Sequence, residues 1–149
     1  MKKHGIITIV ALLLALSPLF GQKIHKRNVP SVVINAFHQH FPRAYDVEWK
    51  KDQNIYKVEL ETGLLSNDHT VWFDSLGQII RHKEEISKSK LPAQVTQKIN
   101  SDFAGYRISD VKKITDRNSV LYTLEVKRFN DEWKVSIDSD GNIISKIPD

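Results

Sequence analysis

An acidic turn near the end of the chain is the first candidate for metal chemistry. The run 138–142, Asp-Ser-Asp-Gly-Asn, offers oxygen ligands of the kind that calcium prefers. An EF-hand loop, however, needs glycine at its sixth position and glutamate at its twelfth. Here the glycine is fourth, and an equivalent turn earlier in the chain has Leu76 in place of Asp140. The run therefore predicts a hairpin with Gly141 in the left-handed conformation rather than a calcium site.

Four histidines are also possible metal ligands, but their spacing does not group them. His38 and His40 are two residues apart on a predicted helix, so their side chains point to different faces. His69 and His82 fall on neighbouring predicted strands, and nothing in the sequence pairs them. We predict four solvated surface histidines, no metal site and no cofactor. A weak zinc site made by a histidine pair stays open as an alternative.

The motifs of covalent and metal-dependent catalysis are missing from the sequence. There is no cysteine, which excludes thiol nucleophiles, redox pairs and cysteine-based zinc sites. Neither Gly-x-Ser-x-Gly nor His-Glu-x-x-His occurs. The sequence therefore predicts no catalytic residues and a protein that is not an enzyme.

A partly exposed tryptophan is the best candidate for binding. Trp72 stands between Val71 and Phe73, and strict strand alternation places it with charged residues on a polar sheet face. Tryptophan is a frequent anchor of interfaces. Two alternatives are a local bulge that turns Trp72 inward and a linker that covers it, whereas Trp49 and Trp133 share the parity of core residues. The predicted partner-binding face comprises Trp72, Lys57, Glu59, Thr70, Thr123, Glu125 and Lys134, together with Leu64 and Leu65 in the turn 63–68.

The elements that carry these residues occur twice along the chain. Each repeat opens with a proline, Pro30 or Pro92, at the start of a predicted helix. An apolar stripe at i, i+4 and i+8 follows in each, with Val33, Phe37 and Phe41 in the first repeat and Val95, Ile99 and Phe103 in the second. Since a missed repeat leads to the wrong fold, this duplication is the main guide to the architecture.

Short alternating strands joined by tight turns follow each helix and predict antiparallel meanders. The fold class is α+β: two tandem helix-plus-four-strand repeats, with both helices on one face of a shared or side-by-side sheet. The predicted strands span residues 45–50, 55–62, 70–74 and 78–83 in the first repeat, and 108–115, 120–127, 132–138 and 142–146 in the second.

The ends of the chain and its charge suggest an exported protein. Lys2 and Lys3 precede an apolar run, residues 6–16, that is shorter than the roughly 20 residues of a membrane span. This pattern is typical of a cleaved signal peptide, so we predict a periplasmic or secreted protein without stable membrane insertion. The formal net charge of +4 falls by two without these lysines, and no basic run suggests nucleic acid. The predicted divisions are a signal peptide at 1–21, a loose leader at 22–28, a first repeat at 29–86 and a second repeat at 91–149.

The duplicated pattern resembles the PepSY-like, β-lactamase-inhibitor-like family of exported bacterial proteins. The matching motifs are the Val/Leu-Pro helix starts, the Phe-Pro helix end at 41–42, Trp49, and the Asp-Ser-x-Gly hairpins at 74–77 and 138–141. The second repeat departs from this pattern, with Ala104 in place of the proline and Lys113 in place of the tryptophan. The resemblance implies a non-enzymatic module of the cell envelope, and a shared fold does not by itself carry function.

Three functions are compatible with these observations. The first is a protein-binding module that recognises a partner in the cell envelope through its open sheet face. The second is a periplasmic inhibitor or regulator of a hydrolase, either a protease or a β-lactamase, that inserts the turn carrying Leu64 and Leu65. The third is a module that senses a ligand or a metal ion.

Overall fold

The computed structural model describes residues 21–149, so the predicted signal peptide at 1–21 lies, except for its last residue, outside the described residues. The two helices are α1 (Ser31–His40) and α2 (Ala93–Asp102). Neither helix in this part of the chain has the length and apolar character that a membrane span needs. The strands are β1 (Gln22–Ile24), β2 (Tyr45–Asp52), β3 (Ile55–Thr62), β4 (Asn67–Phe73), β5 (Ile79–Glu85), β6 (Arg107–Asp116), β7 (Ser119–Arg128), β8 (Asp131–Asp138) and β9 (Ile143–Pro148).

The two helices begin and end alike because their boundary residues are alike. Pro30 and Pro92 are the N-cap residues, with φ near −55° in both, and each helix begins at the next residue. At the other end, the N–H of Phe41 donates to the carbonyl of Phe37, and the N–H of Phe103 donates to that of Ile99. Helix α1 cannot continue past this point because Pro42 has no N–H to donate.

All nine strands form one antiparallel sheet in the order in which they occur along the chain. Strands β5 and β6 join the two repeats through five consecutive residue pairs, from Arg81 with Asp116 to Glu85 with Lys112. The part of the chain that the structure describes is thus an α+β fold with a single open sheet and two helices.

The segment expected to be a loose leader is ordered, and that expectation is wrong. Residues Gln22–Ile24 form β1, which pairs with β2, and Lys26–Asn28 form a 3-10 turn. The strand is too short and too polar to be read from the sequence. It is held by the free backbone groups of β2, and Lys23 Nζ lies 2.6 Å from Glu48 Oε2. As a result, β1 protects what would otherwise be a long exposed edge.

Both repeats contain β-bulges at corresponding positions. Asp46 in β2 and Asp110 in β6 have φ values near +50°, and the register shifts at each of them. A second shift occurs at the start of β5 and again at the start of β9. Because these irregularities occur at matching positions in both repeats, the duplication includes the bulges as well as the regular strands. Each bulge changes the face on which the following residues of its strand lie.

Each helix covers its own hydrophobic core, and both cores lie on the same face of the sheet. In the first repeat, Val33 and Phe37 pack with the buried side chains of β2, β3 and β4. In the second, Val95 and Ile99 pack with those of β6, β7 and β8. Residues that pair directly on neighbouring strands lie on the same face of the sheet. One row of such pairs runs from the first core across the junction of the repeats to the second core, and this row is Val58, Val71, His82, Thr115 and Val120.

The helix-side cores include the two tryptophans expected there. Trp49 is 3% exposed and belongs to the first core. Trp133 is partly buried against the second core, and its Nε1–H donates to Asp131 Oδ1 at 2.7 Å. Within residues 21–149 no helix covers the opposite face, which is therefore the open face of the sheet.

Candidate functional site: the open face of the sheet

Trp72 lies on the open face, as strict alternation predicts. Its neighbours Val71 and Phe73 are fully buried on the helix side. Trp72 is paired with Lys57 on one side and Arg81 on the other. Lys57 Nζ lies 5.7 Å from the centroid of the indole ring, and Arg81 Cζ lies 5.3 Å from it. Both distances are within the range of a cation–π contact, so two cations hold the ring on the surface.

The next row of pairs places Glu59, Thr70 and Lys83 side by side. Lys57 Nζ lies 2.5 Å from Glu59 Oε1, and Lys50 Nζ lies 3.1 Å from Glu59 Oε2. The hydrogen bond from Lys57 lowers the pKa of the Glu59 carboxyl below its ordinary value, so this group stays ionised at neutral pH. Thr70 is only 7% exposed, and it therefore forms the floor of the face rather than a point of contact.

Two cavities open on this face. One, of about 360 Å³, lies over Thr70 and between Glu59, Lys83 and Lys112. Burial there lowers the pKa of the Lys83 ammonium from its ordinary value, and nearby Lys112 lowers it further. The second cavity, of about 330 Å³, lies beside the Trp72 ring and is also lined by Ile55, Ile80, Arg81, Asp116 and Arg117.

The predicted residues of the second repeat lie on the same face but farther along it. Lys112 of β6 pairs with Glu85 on one side and with Thr123 on the other. Since Lys112 lines the first cavity, Thr123 lies one strand away from that cavity. Glu125 pairs directly with Lys134, whose Nζ lies 3.9 Å from Glu125 Oε1. Lys134 also bonds Asp149. The structure therefore brings Trp72, Lys57, Glu59 and Thr70 together, places Thr123 next to the first cavity, and leaves Glu125 and Lys134 as a separate charged pair.

Leu64 and Leu65 lie at the tip of the β3–β4 turn, where both side chains are almost fully exposed. The turn is fixed from below, since the Tyr45 hydroxyl donates to the Gly63 carbonyl at 2.9 Å. The corresponding β7–β8 turn presents Phe129, which is 89% exposed. The two turns lie at the same end of the sheet because the strands alternate in direction.

Several residues near the candidate site were not predicted from the sequence: Arg81, Lys83 and Lys112 on the open face, and Phe129 in the β7–β8 turn. The bulge at the start of β5 adds a residue at Ile80 and reverses the parity of the strand. Alternation counted from Ile79 therefore puts Arg81 on the wrong side. Lys112 follows the bulge at Asp110 in the same way. Phe129 could have been found from the sequence, because a large apolar residue in a turn of only two residues is a signal of exposure.

The expectation of solvated surface histidines is wrong for His69 and His82. Both rings are partly buried on the helix side of the sheet, and His69 Nδ1 lies 3.0 Å from His82 Nε2. The side chain of Phe41, which follows helix α1, packs against both rings. Burial lowers the pKa of each imidazole below its ordinary value, so both rings are neutral at pH 7.

In the acidic turn at 138–142, the carboxylate of Asp138 is hydrogen-bonded to backbone N–H groups of the same turn. Asp138 Oδ1 accepts hydrogen bonds from the N–H groups of Asp140 at 3.0 Å and Asn142 at 2.8 Å. Asp74 does the same in the first repeat, accepting from Leu76 and Gln78 at 2.9 Å. Gly141 has a φ of +90°, as the hairpin interpretation requires. These carboxylates therefore serve to close the hairpins.

The fold and the site together define a duplicated sheet-and-helix module with one covered face and one open, charged face. Comparison with known families agrees, since the family model described as "Putative beta-lactamase-inhibitor-like, PepSY-like" matches residues 21–65 and again residues 63–145. This chain belongs to that family. No curated protein matches the chain.

Several solved structures share the fold at low sequence identity. A protein from Bacteroides eggerthii, described among "putative periplasmic proteins", is 15% identical with a TM-score of 0.66, covering 80% of this chain and 88% of its own. A DUF2874 family protein from Bacteroides uniformis is 19% identical with a TM-score of 0.64 and the same coverage. A BLIP-like protein from Bacteroides fragilis is 16% identical with a TM-score of 0.63, covering 80% of this chain and 85% of its own. At these identities the likeness establishes the fold alone.

Proposed function

We propose that this protein is an exported, non-enzymatic binding module of the bacterial cell envelope that holds a protein partner on its open face. The observation that carries the proposal is Trp72, a large aromatic side chain kept on the polar side of the sheet between Lys57 and Arg81. Tryptophan and arginine are the residues most often found as hot spots of interfaces. The envelope location draws support from the periplasmic description of the relative from Bacteroides eggerthii.

The surroundings of Trp72 indicate what the partner offers. The cavity beside the ring is lined by the apolar Ile55 and Ile80, and by two cations, Arg81 and Arg117, against one carboxylate, Asp116, so its charged lining is cationic on balance. Lys57 adds a third cation, although Glu59 partly neutralises it. An apolar or aromatic side chain next to an acidic residue would fill this cavity and pair with its rim. We therefore expect the partner to be a protein with an acidic segment that contains a protruding apolar residue.

Trp72→Ala is expected to weaken partner binding at least about 30-fold, since a hot spot is worth roughly 2 kcal/mol or more. The partner is first isolated from envelope extract on the immobilised wild-type protein, and its affinity for each variant is then measured by calorimetry. The stability of the fold should change little, because Trp72 contributes to neither hydrophobic core.

Asn35→Ala is the matched control, because Asn35 is exposed on helix α1 and faces away from the open side of the sheet. It should bind like the wild type. Unchanged affinity of the folded Trp72→Ala variant for every isolated protein would refute the proposed anchor, and so would the absence of any bound envelope protein.

A second candidate function is inhibition or regulation of a hydrolase, and the exposed β3–β4 tip favours it. Leu64 and Leu65 project from a turn fixed by Tyr45, and the Phe129 tip lies at the same end of the sheet. A rigid tip with apolar side chains suits insertion into a substrate cleft, because little conformational entropy is lost on binding. The BLIP-like relative from Bacteroides fragilis agrees with this idea only at the level of the fold.

Replacing both Leu64 and Leu65 by serine distinguishes this second function from the first. Inhibition of proteases or β-lactamases by the wild-type chain should be lost in the double variant, whereas thermal stability should stay the same because neither side chain is buried. If the wild-type chain inhibits no member of an enzyme panel, this second function is discarded. The proposal based on Trp72 is unaffected by that result.

A further inference from the structure

We propose that His69, His82 and Glu84 form a binding site for one divalent transition-metal ion of the zinc class. The site lies on the helix side of the sheet, next to the junction of the two repeats, and so on the opposite face from Trp72. It is therefore independent of the proposed partner-binding function.

The strand register brings the three side chains together. His69 of β4 is paired directly with Glu84 of β5, and His82 is two residues before Glu84 on the same face of β5. One ligand atom from each of the three residues lies within 4.8 Å of the other two. The closest contact is 3.0 Å, between His69 Nδ1 and His82 Nε2.

These distances suit a small cation with short bonds. Zinc binds imidazole nitrogen at about 2.0–2.1 Å and carboxylate oxygen at about 2.0–2.2 Å, so tetrahedral donors are about 3.3 Å from one another. The His69 Nδ1 and His82 Nε2 atoms, 3.0 Å apart, are already near that separation. The Glu84 carboxylate, within 4.8 Å of both, has to approach them more closely when a metal binds.

The donor set selects the class of metal. Two imidazole nitrogens and one carboxylate oxygen suit zinc, copper and nickel, whereas calcium and magnesium prefer sites made of oxygen ligands. Three protein ligands leave one position of a tetrahedral zinc ion for water or for another ligand. In the acidic hairpin turn, by contrast, Asp138 Oδ1 already accepts hydrogen bonds from the backbone N–H groups of Asp140 and Asn142.

Neighbouring residues complete the site. Thr62 Oγ1 lies 2.8 Å from His69 Nε2, and when this nitrogen donates its proton to the hydroxyl, Nδ1 keeps a lone pair for the metal. The Phe41 ring packs 5.7 Å from the His69 ring and 5.5 Å from the His82 ring, which shields one side from water. Lys113 Nζ, 3.6 Å from Glu84 Oε1, is the cation that a metal ion would displace.

Bound metal would link β4 to β5 beneath the end of helix α1. Because the three ligands come together only in the folded chain, an ion that binds them stabilises the native state by mass action. We therefore expect zinc to raise the melting temperature of the protein, and calcium to leave it unchanged.

The test is calorimetric titration of zinc chloride into purified protein without an affinity tag. One ion should bind per chain, and cobalt substitution should give the visible absorption of a four-coordinate site. His82→Gln and Glu84→Gln should each lower zinc affinity by roughly 100-fold or more. Each removes a direct ligand, which costs at least as much as the upper end of the roughly 10–100-fold loss caused by removing an outer-shell partner. Thr62→Val should lower it by about 10-fold through the loss of that outer hydrogen bond.

His38→Ala is the control variant, because His38 is an exposed histidine on helix α1 and should leave zinc affinity unchanged. The proposal is overturned if no zinc binds at about 100 µM, or if His82→Gln and Glu84→Gln bind zinc as tightly as the wild type while circular dichroism shows them folded. The outcome is separate from that for Trp72, since partner binding is measured on the other face.

Discussion

Replacing Phe37 with alanine is expected to lower the free energy of unfolding by about 3–5 kcal/mol, the usual cost of removing a large aromatic side chain from a packed core. Phe37 is 2% exposed and is the largest fully enclosed side chain that helix α1 contributes. Its ring meets the Trp49 ring edge-on, with centroids 5.3 Å apart. Strands β2 and β3 cannot move inward to fill the cavity left by the missing ring, because the hydrogen bonds between them hold both strands in register.

Urea denaturation followed by circular dichroism measures this loss. Val32→Ala is the control, since Val32 lies on the same helix but is 47% exposed and should cost no more than about 0.5 kcal/mol. A loss below about 1 kcal/mol for Phe37→Ala would mean that helix α1 does not cover the sheet as described.

Replacing Gly141 with alanine is the second large effect, and we expect it to destabilise the fold by roughly 3 kcal/mol. Gly141 has a φ of +90°, and a left-handed conformation costs a residue with a Cβ about 1–2 kcal/mol. An added Cβ would also lie 2.9 Å from the carbonyl oxygen of Gln94 in helix α2. This backbone atom cannot move aside cheaply, so a further strain of about 1–3 kcal/mol is expected.

Gly63 separates the two contributions to this effect. It also has a positive φ, of +74°, but the nearest atom to an added Cβ is the flexible side-chain nitrogen of Asn67 at 3.8 Å. Gly63→Ala should therefore cost only the conformational part, about 1–2 kcal/mol. Chemical denaturation of both variants gives the difference. Equal losses would show that the β8–β9 hairpin does not approach helix α2 closely.

The local elements of this fold were predictable because each has its own sequence signal. Pro30 and Pro92 indicate the helix starts, and the apolar stripes indicate which helix face is buried. The hairpins at Gly77 and Gly141 follow from the left-handed conformation that a glycine adopts without strain. The alternation in β4 was sufficient to place Trp72 on the open face, because its register shift falls beyond that residue.

The parts that were missed depend on contacts between distant segments. Strand β1 forms because β2 has a free edge, and no pattern within residues 22–24 reports this. The bulges at Asp46 and Asp110 reverse the parity of their strands, and they depend on the twist of the whole sheet. His69 and His82 become neighbours only through the β4–β5 register, which the sequence does not specify. The location of the candidate binding face was thus predictable in outline, whereas the composition of its basic rim was not.

Site-specific photo-cross-linking in living cells tests the proposed binding face most directly. A photoreactive phenylalanine analogue is placed at position 55, in the cavity beside the intact Trp72 ring on the open face, and, in a separate variant, at position 35 on helix α1. We predict that an envelope protein is covalently attached from position 55 and not from position 35. Attachment from position 35 alone, or equally from both positions, would contradict the proposed binding face.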